Sequence, residues 1–306
     1  MKQLFYMGLC IAAILGLLYS VCFRLMVFHP FKSTFYALRD IFLYFKYNKR
    51  YVYNGGILNC YSAHFGRGKT LSLVHYISSL YRRYNNRKVY NFSKKCYEIQ
   101  KVTILSNVEF KNIPFIELTS LNQIIGFTDK DVIKQNDSDN IRQVVLVVID
   151  EASVQLNSRN FKDNINAEFL NALLTCRHFH ISIFYSSQKF KLVDALLRDV
   201  TQQVILCKKV WRFQVQYVYD ADELNFASNP SLVKPKVKKG WFIDDKDFNA
   251  YDTLATVDQL KKSYDEGDFL TEEEILANRG TVIVDEQGYT PSRKQKRFWK
   301  VKGKAG

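Results

Sequence analysis

Residues 63–70 read Ala63-His64-Phe65-Gly66-Arg67-Gly68-Lys69-Thr70. The stretch follows a short apolar run at 57–61. It opens a segment, 69–84, in which Leu73, Ile77, Leu80, Tyr81 and Tyr84 recur at helical spacing. A strand, a glycine-rich turn and a helix start, in that order, line up backbone N–H groups as an anion nest at the positive end of the helix dipole. Gly66 and Gly68 lack the Cβ that would hold a phosphate away from the backbone. Lys69 offers its charge to phosphate oxygens, and Thr70 offers a hydroxyl to a divalent cation. The residues expected to hold nucleotide are Ala63, Gly66, Arg67, Gly68, Lys69, Thr70 and Leu71. Ala63 stands where the usual pattern G-x-x-x-x-G-K-[ST] begins with glycine.

The partner of this loop is the stretch 144–151, Val144-Val145-Leu146-Val147-Val148-Ile149-Asp150-Glu151. An all-apolar strand that ends in two carboxylates has a bland reading, a helix cap or a surface turn. Beside a phosphate loop, the reading of one nucleotide-metal site prevails. Asp150 then joins Thr70 as a ligand of Mg²⁺, and Glu151 polarises the water that attacks ATP. A third apolar run, 181–188, ends in Ser186-Ser187-Gln188. Gln188 is the expected sensor of the terminal phosphate, and the competing reading is a cap supplied by Ser186 or Ser187. Lys69, Glu151 and Gln188 are thus the catalytic candidates. Arg159, Arg177 and Arg198 are candidates for an arginine finger donated by a neighbouring subunit, and each is equally readable as a surface or ion-pair residue.

Working outward, strands are expected at 88–92 and 102–106, helices at 164–176 and 190–198, and a half-exposed strand at 211–219. The β-branched run 144–149 suits a central parallel strand covered on both faces. This alternation predicts an α/β fold of the P-loop NTPase type, a mostly parallel sheet flanked by helices. Residues 128–143 read as a surface loop, 231–240 as a basic connector, 257–278 as an acidic helical stretch and 292–304 as a basic tail. The expected organisation is an anchor at 1–30, a basic aromatic juxtamembrane segment at 31–50, an ATPase core at 51–220 and a C-terminal extension at 221–306.

The anchor rests on residues 4–23, twenty positions with no charged side chain. At about 1.5 Å per residue, such a helix spans a hydrocarbon core of about 30 Å. The run is longer than the apolar part of a signal peptide and ends without a small-x-small site. More Lys and Arg follow it than precede it, which places the body on the cytoplasmic side of a host inner membrane or a virion membrane. Segment 31–47 reads equally as a helix on lipid headgroups or as one packed on the domain.

The chain has 306 residues and a formal charge of +14, with 47% hydrophobic and 24% charged residues. That excludes a disordered chain and allows phosphate-bearing partners, although part of the excess can reflect an AT-rich genome. The six cysteines contain no C-x-x-C pair, so a zinc ribbon and a disulfide framework are also excluded, and a reducing compartment fits.

Together the motifs resemble the zonula occludens toxin-like ATPases of the FtsK–HerA superfamily, the filamentous-phage assembly type. The resemblance runs over 59–206. It is carried by residues 63–70, by Leu105-Ser106-Asn107, by Val147 to Ser153 (VVIDEAS) and by Leu156-Asn157-Ser158-Arg159. Arg177-His178, the Ser186-Ser187-Gln188 end, Val193-Asp194 and Leu197-Arg198 complete it. It implies a RecA/FtsK-like fold and a homo-oligomeric, hexameric ATPase that moves DNA at a membrane or capsid. It also implies partners among phage coat or assembly proteins. In the filamentous-phage proteins the span tends to follow the ATPase domain, whereas here it comes first. A membrane morphogenesis ATPase acting on proteins alone is the alternative. A GTPase lacks support, since the chain has no N-K-x-D.

Overall fold

The structure is a computed structural model that describes residues 6–8, 16, 20–152 and 167–251. The chain divides into two units, Met1–Tyr51 and Val52–Gly306. In the first, helix α1 (Val21–Phe28) is capped by Ser20, whose Oγ accepts from the Phe23 N–H at 3.2 Å. Helix α2 (Pro30–Lys46) starts on a proline, which has no N–H to leave unpaired at a helix start. Neither helix buries a residue. Among the described residues no helix is long and apolar enough to cross a membrane. Half of the expected anchor 1–30, Lys2 included, lies outside the described residues.

The second unit is built on one sheet. Strand β1 (Leu58–Ser62) leads into helix α3 (Lys69–Tyr84). Strands β2 (Arg87–Asn91), β3 (Cys96–Ser106) and β4 (Ile116–Glu117) follow, then helices α4 (Asn122–Gly126) and α5 (Lys130–Ser138). Strand β5 (Ile141–Ile149), helix α6 (Ala167–Thr175), strand β6 (Ile181–Ser187) and helix α7 (Ala195–Asp199) complete the parallel part with β7 (Gln203–Val210). Strand β8 (Phe213–Asp220), helix α8 (Ala221–Phe226), strand β9 (Val237–Phe242) and helix α9 (Asp245–Phe248) end the described chain.

The sheet order is β2-β3-β5-β6-β1-β7-β8-β9, with β4 beside β3. Strands β3, β5, β6, β1 and β7 are mutually parallel, and β2, β8 and β9 add antiparallel edges. A mixed sheet of this kind with flanking helices fits a P-loop NTPase fold. Both faces of β5 are covered, as its composition predicts. Val145, Val147 and Ile149 pack in one core with Phe169 and Leu173 of α6. Val144, Leu146 and Val148 pack in the other with Leu73, Val74 and Ile77 of α3. Each such side chain contributes about 1.5–3 kcal/mol on burial, which makes β5 a stiff support for the carboxylates at its end.

Three expectations need correction. The stretch 128–143 is not all loop: Asp129 caps α5 by accepting from the Asp131 N–H at 2.9 Å, and Val132 is the apolar side chain that the helix buries. One buried apolar position leaves no periodicity to read. The helix expected over 190–198 is a single 3₁₀ turn, Phe190–Leu192, followed by α7, which Asp194 caps. Part of the basic connector 231–240 is strand β9, which extends the sheet because β8 leaves an edge for it to pair. The helix expected at 257–278 and the tail at 292–304 lie outside the described residues. The five described cysteines are free thiols.

Candidate active site

The carboxyl ends of β1, β5 and β6 meet at one rim of the sheet. There the loop after β1 faces the end of β5, with β6 between the two strands. Gly66 and Gly68 both take left-handed backbone, with φ of 70° and 79°. Gly68 is the cap residue of α3, so Lys69 and Thr70 stand in the helix's first turn. The Lys69 ammonium is buried, 3.0 Å from Oε1 of Glu151. The Phe65 ring lies 5.5 Å from its nitrogen. The Thr70 hydroxyl donates to Oδ2 of Asp150 at 2.9 Å.

Asp150 is held on every side. The Ser186 hydroxyl donates to its Oδ1. Asn107 clasps its backbone, accepting from the Asp150 N–H at 2.8 Å and donating to the Asp150 carbonyl at 3.1 Å. Glu151 has φ of 51°, a left-handed conformation that costs a non-glycine residue about 1–3 kcal/mol. Its N–H donates to Ser186 Oγ at 3.0 Å. Its Oε2 is buried and has no hydrogen-bond partner. The Lys69 ammonium, the Thr70-Asp150 pair and the unpaired Oε2 of Glu151 thus converge at one rim of the sheet.

Burial pushes the Asp150 carboxyl above the ordinary aspartate range, against the opposing pull of hydrogen bonds from Ser186 and Thr70. An aspartate whose pKa is higher folded than unfolded binds its proton more tightly in the fold. Its ionised form therefore costs stability above the unfolded pKa, and the cost vanishes at pH below that value. Asp150→Asn keeps the shape without the charge. It is expected to raise the melting temperature of the nucleotide-free chain near pH 8 by about 2–4 °C for each ~1 kcal/mol recovered. The gain should shrink as melts are repeated toward pH 4. A lower melting temperature for the variant at pH 8 would contradict this account.

The other expected residues are placed as follows. Ala63 and Leu71 are buried, and Arg67 is exposed. Gln188 is half-buried one strand away, and its carbonyl accepts from Ser62 Oγ at 3.3 Å. Ser186, two residues earlier, is the β6 residue that reaches Asp150. Arg177 is exposed where β6 begins, close against Gly56, at the opposite end of the sheet. Arg198 donates to Asn225 Oδ1 at 3.1 Å on α8. Arg159 lies outside the described residues. Neither Arg177 nor Arg198 thus joins the site of its own subunit.

Sequence reasoning missed Gln214. This fully buried residue of β8 donates through Nε2 to the Arg67 carbonyl at 3.2 Å and to the Gly68 carbonyl at 3.5 Å. A Cβ on Gly68 would lie 2.6 Å from its Oε1. Gly68→Ala is therefore expected to cost about 1–3 kcal/mol in urea unfolding, from left-handed backbone and collision together. The loss should be smaller in a Gln214→Ala background, which removes the collision alone. Equal losses in both backgrounds would discount the contact. Alternation in 211–219 carries no signal for this role, since it marks the aromatic set rather than the glutamines.

A groove of about 430 Å³ runs beside the loop, lined by Ala63, His64, Gln188 and Tyr219 among others. Its size is within the range of small-ligand sites.

With this geometry in place, the chain can be set beside known proteins. No family model matches it, and no curated protein matches it by sequence. Among solved structures it is similar to the N-terminal domain of zonular occludens toxin from Neisseria meningitidis. The likeness covers 64% of this chain and 98% of that one, at 19% identity and a TM-score of 0.41. It is also similar to the DNA-packaging ATPase of Sulfolobus turreted icosahedral virus, covering 63% of this chain and 100% of that one at 10% identity and a TM-score of 0.37. The genome-packaging NTPase of Sulfolobus turreted icosahedral virus 2, solved with ATP-γ-S, covers 61% of this chain and 97% of its own at 11% identity and a TM-score of 0.34. The structural neighbours thus include a member of the family that the motifs resemble.

Proposed function

We propose that this chain is a membrane-anchored, ATP-hydrolysing DNA translocase acting in phage assembly and extrusion or in genome packaging. The observation that carries the proposal is the opposition of Lys69 and Thr70 to Asp150 and Glu151 across two strand ends. The loop N–H groups and Lys69 bind and neutralise the β- and γ-phosphates of ATP. The Thr70 hydroxyl and the Asp150 carboxylate would hold Mg²⁺, which would draw charge from the phosphate oxygens. Among the described residues there is no cluster of three or more His, Cys, Asp or Glu able to hold an ion alone. One carboxylate, a hydroxyl and substrate phosphates are the habitual surroundings of Mg²⁺. Glu151, freed from Lys69 when phosphate takes the ammonium, accepts the proton of the attacking water.

The rest of the reading is built on sequence. Residues 1–30 anchor the chain, and the +14 charge favours a polyanionic partner. A ring of identical subunits, six in the family it resembles, lets a neighbour's Arg177, Arg198 or Arg159 reach the γ-phosphate. Hydrolysis by the full chain, with and without single- and double-stranded DNA, tests this, with Glu151→Gln as the blank. Stimulation by DNA that the blank lacks supports a DNA motor. Hydrolysis indifferent to DNA at low salt, from an assembled chain, would transfer the activity to coat or membrane proteins.

A further inference from the structure

The β7-β8-β9 wing has two unlike faces. One is buried: it carries Gln214, which bonds the phosphate loop, and Trp241, stacked on His75 of α3 at 3.7 Å between ring centroids. The other is open toward the β7-β8 turn, although Val204 at its far end is buried, and it holds the aromatic members of the alternating stretch. Val210, Phe213 and Phe242 stand directly opposite one another in the ladder and so share that face. They are 55%, 52% and 48% exposed, and Trp211, at the β7-β8 turn, is 71% exposed. Trp211, Phe213 and Phe242 form one ring cluster, with centroids 5.6 to 6.2 Å apart. Hydrophobic rings this exposed at a sheet edge call for an occupant.

Two lysines lie within the same face. Lys208 is one side-chain row below the cluster, and Lys238 is a further row down, paired with Tyr217 in the ladder. Rows on one face of a strand are about 7 Å apart. Lys238 Nζ lies 5.9 Å from the Tyr217 ring, and among the described residues neither lysine is in an ion pair. No acidic residue occupies the alternate positions of this face on the three strands, from Val204 to Val210, Phe213 to Tyr219 and Lys238 to Phe242.

We propose that this face binds single-stranded nucleic acid, with bases stacked on the Trp211-Phe213-Phe242 cluster and phosphates on Lys208 and Lys238. The inference deepens the DNA-motor reading and rests on it. Sheet faces that carry exposed aromatic rings and neighbouring cations suit single strands, because every base has a π-face and every linkage a charge. A duplex hides its base faces and leaves the rings unused. The rings stand at the end of the face and the cations one and two rows behind them, so anionic phospholipid is the rival occupant that the test must separate.

The test is fluorescence anisotropy of labelled oligo(dT) with the full chain over a range of KCl, together with intrinsic tryptophan emission. Oligo(dT) is expected to bind and quench emission, and Trp211→Phe should remove most of the quench. Trp211→Ala with Phe213→Ala should weaken binding at least about tenfold, while a matched duplex binds the wild type more weakly. Lys208→Gln with Lys238→Gln should lower the salt slope by about 1.4, from a slope of about 0.7 per phosphate contact on single strands. Far-ultraviolet circular dichroism of each variant guards against misfolding.

Wild-type affinity in both double variants would overturn the proposal. So would vesicles of anionic phospholipid that quench Trp211 where oligo(dT) does not, or wing variants that turn an oligomer into a monomer and leave oligo(dT) affinity intact. Failure of the underlying reading looks different. Lys69→Ala should lose hydrolysis and keep oligo(dT) binding. A wild-type chain that grips oligo(dT) through the wing but hydrolyses no ATP would refute the motor and leave the surface standing.

Discussion

Replacing Glu151 by Gln is expected to slow ATP turnover by about 10²–10⁴-fold while nucleotide stays bound, because a carboxamide cannot take the proton of the attacking water. The direction of the affinity change follows from the resting geometry. Without nucleotide, the Lys69 ammonium sits 3.0 Å from the Glu151 carboxylate, and an arriving phosphate must draw it away. Glutamine holds the ammonium less tightly, so the variant should bind ATP as well as the parent or better. Phosphate release in single turnovers and titration with a fluorescent ATP analogue read the two quantities separately. Turnover within tenfold of the parent would remove Glu151 from the chemistry. A large loss of affinity would show that it acts in binding instead.

Lys69→Ala should act on the opposite quantity. The ammonium is nearly inaccessible to water, so the phosphates it meets are desolvated too. Truncating one partner of such a charge pair costs about 2–5 kcal/mol, a fall in affinity of about 30-fold to several thousandfold. Arginine is a poor replacement, because its planar fork does not fit where a point charge sits under Phe65. Calorimetric titration with ATP and magnesium chloride measures the loss. An affinity within threefold of the parent would place the phosphates somewhere other than this loop.

The elements that position these groups were the most readable in sequence, and for a physical reason. Helix α3 spans the predicted 69–84, since its apolar side chains recur at regular spacing and pack into a single core. The run 144–149 lies within β5, which starts three residues earlier at Ile141, where polar side chains mask the strand. Asp150 and Glu151 stand out only in company, since a strand end with two carboxylates reads as a cap or turn until a phosphate loop is set beside it. Gln214 was not, because its task is set by the loop that happens to lie across the sheet from it. Helix α5 and strand β9 escaped for a related reason. One is held by a cap and one buried valine, the other by backbone pairing to β8, and neither prints a pattern along its own residues. At β6 the serine-rich end points to Gln188 as the sensor. The residue that touches Asp150 is Ser186, whose place follows from strand register rather than from side-chain type.

The position of β1 has a consequence for the order in which the molecule assembles. This strand finds no neighbour among the residues that immediately follow it. Leu58 waits for Ile183, and Asn59 waits for Gln203. Pairings so distant in sequence form slowly, because loop closure must precede any gain from contact. During synthesis the nascent chain therefore carries the phosphate loop long before it has a wall to hold it. The ability to retain nucleotide should appear abruptly, once the β7-β8 hairpin has cleared the ribosome.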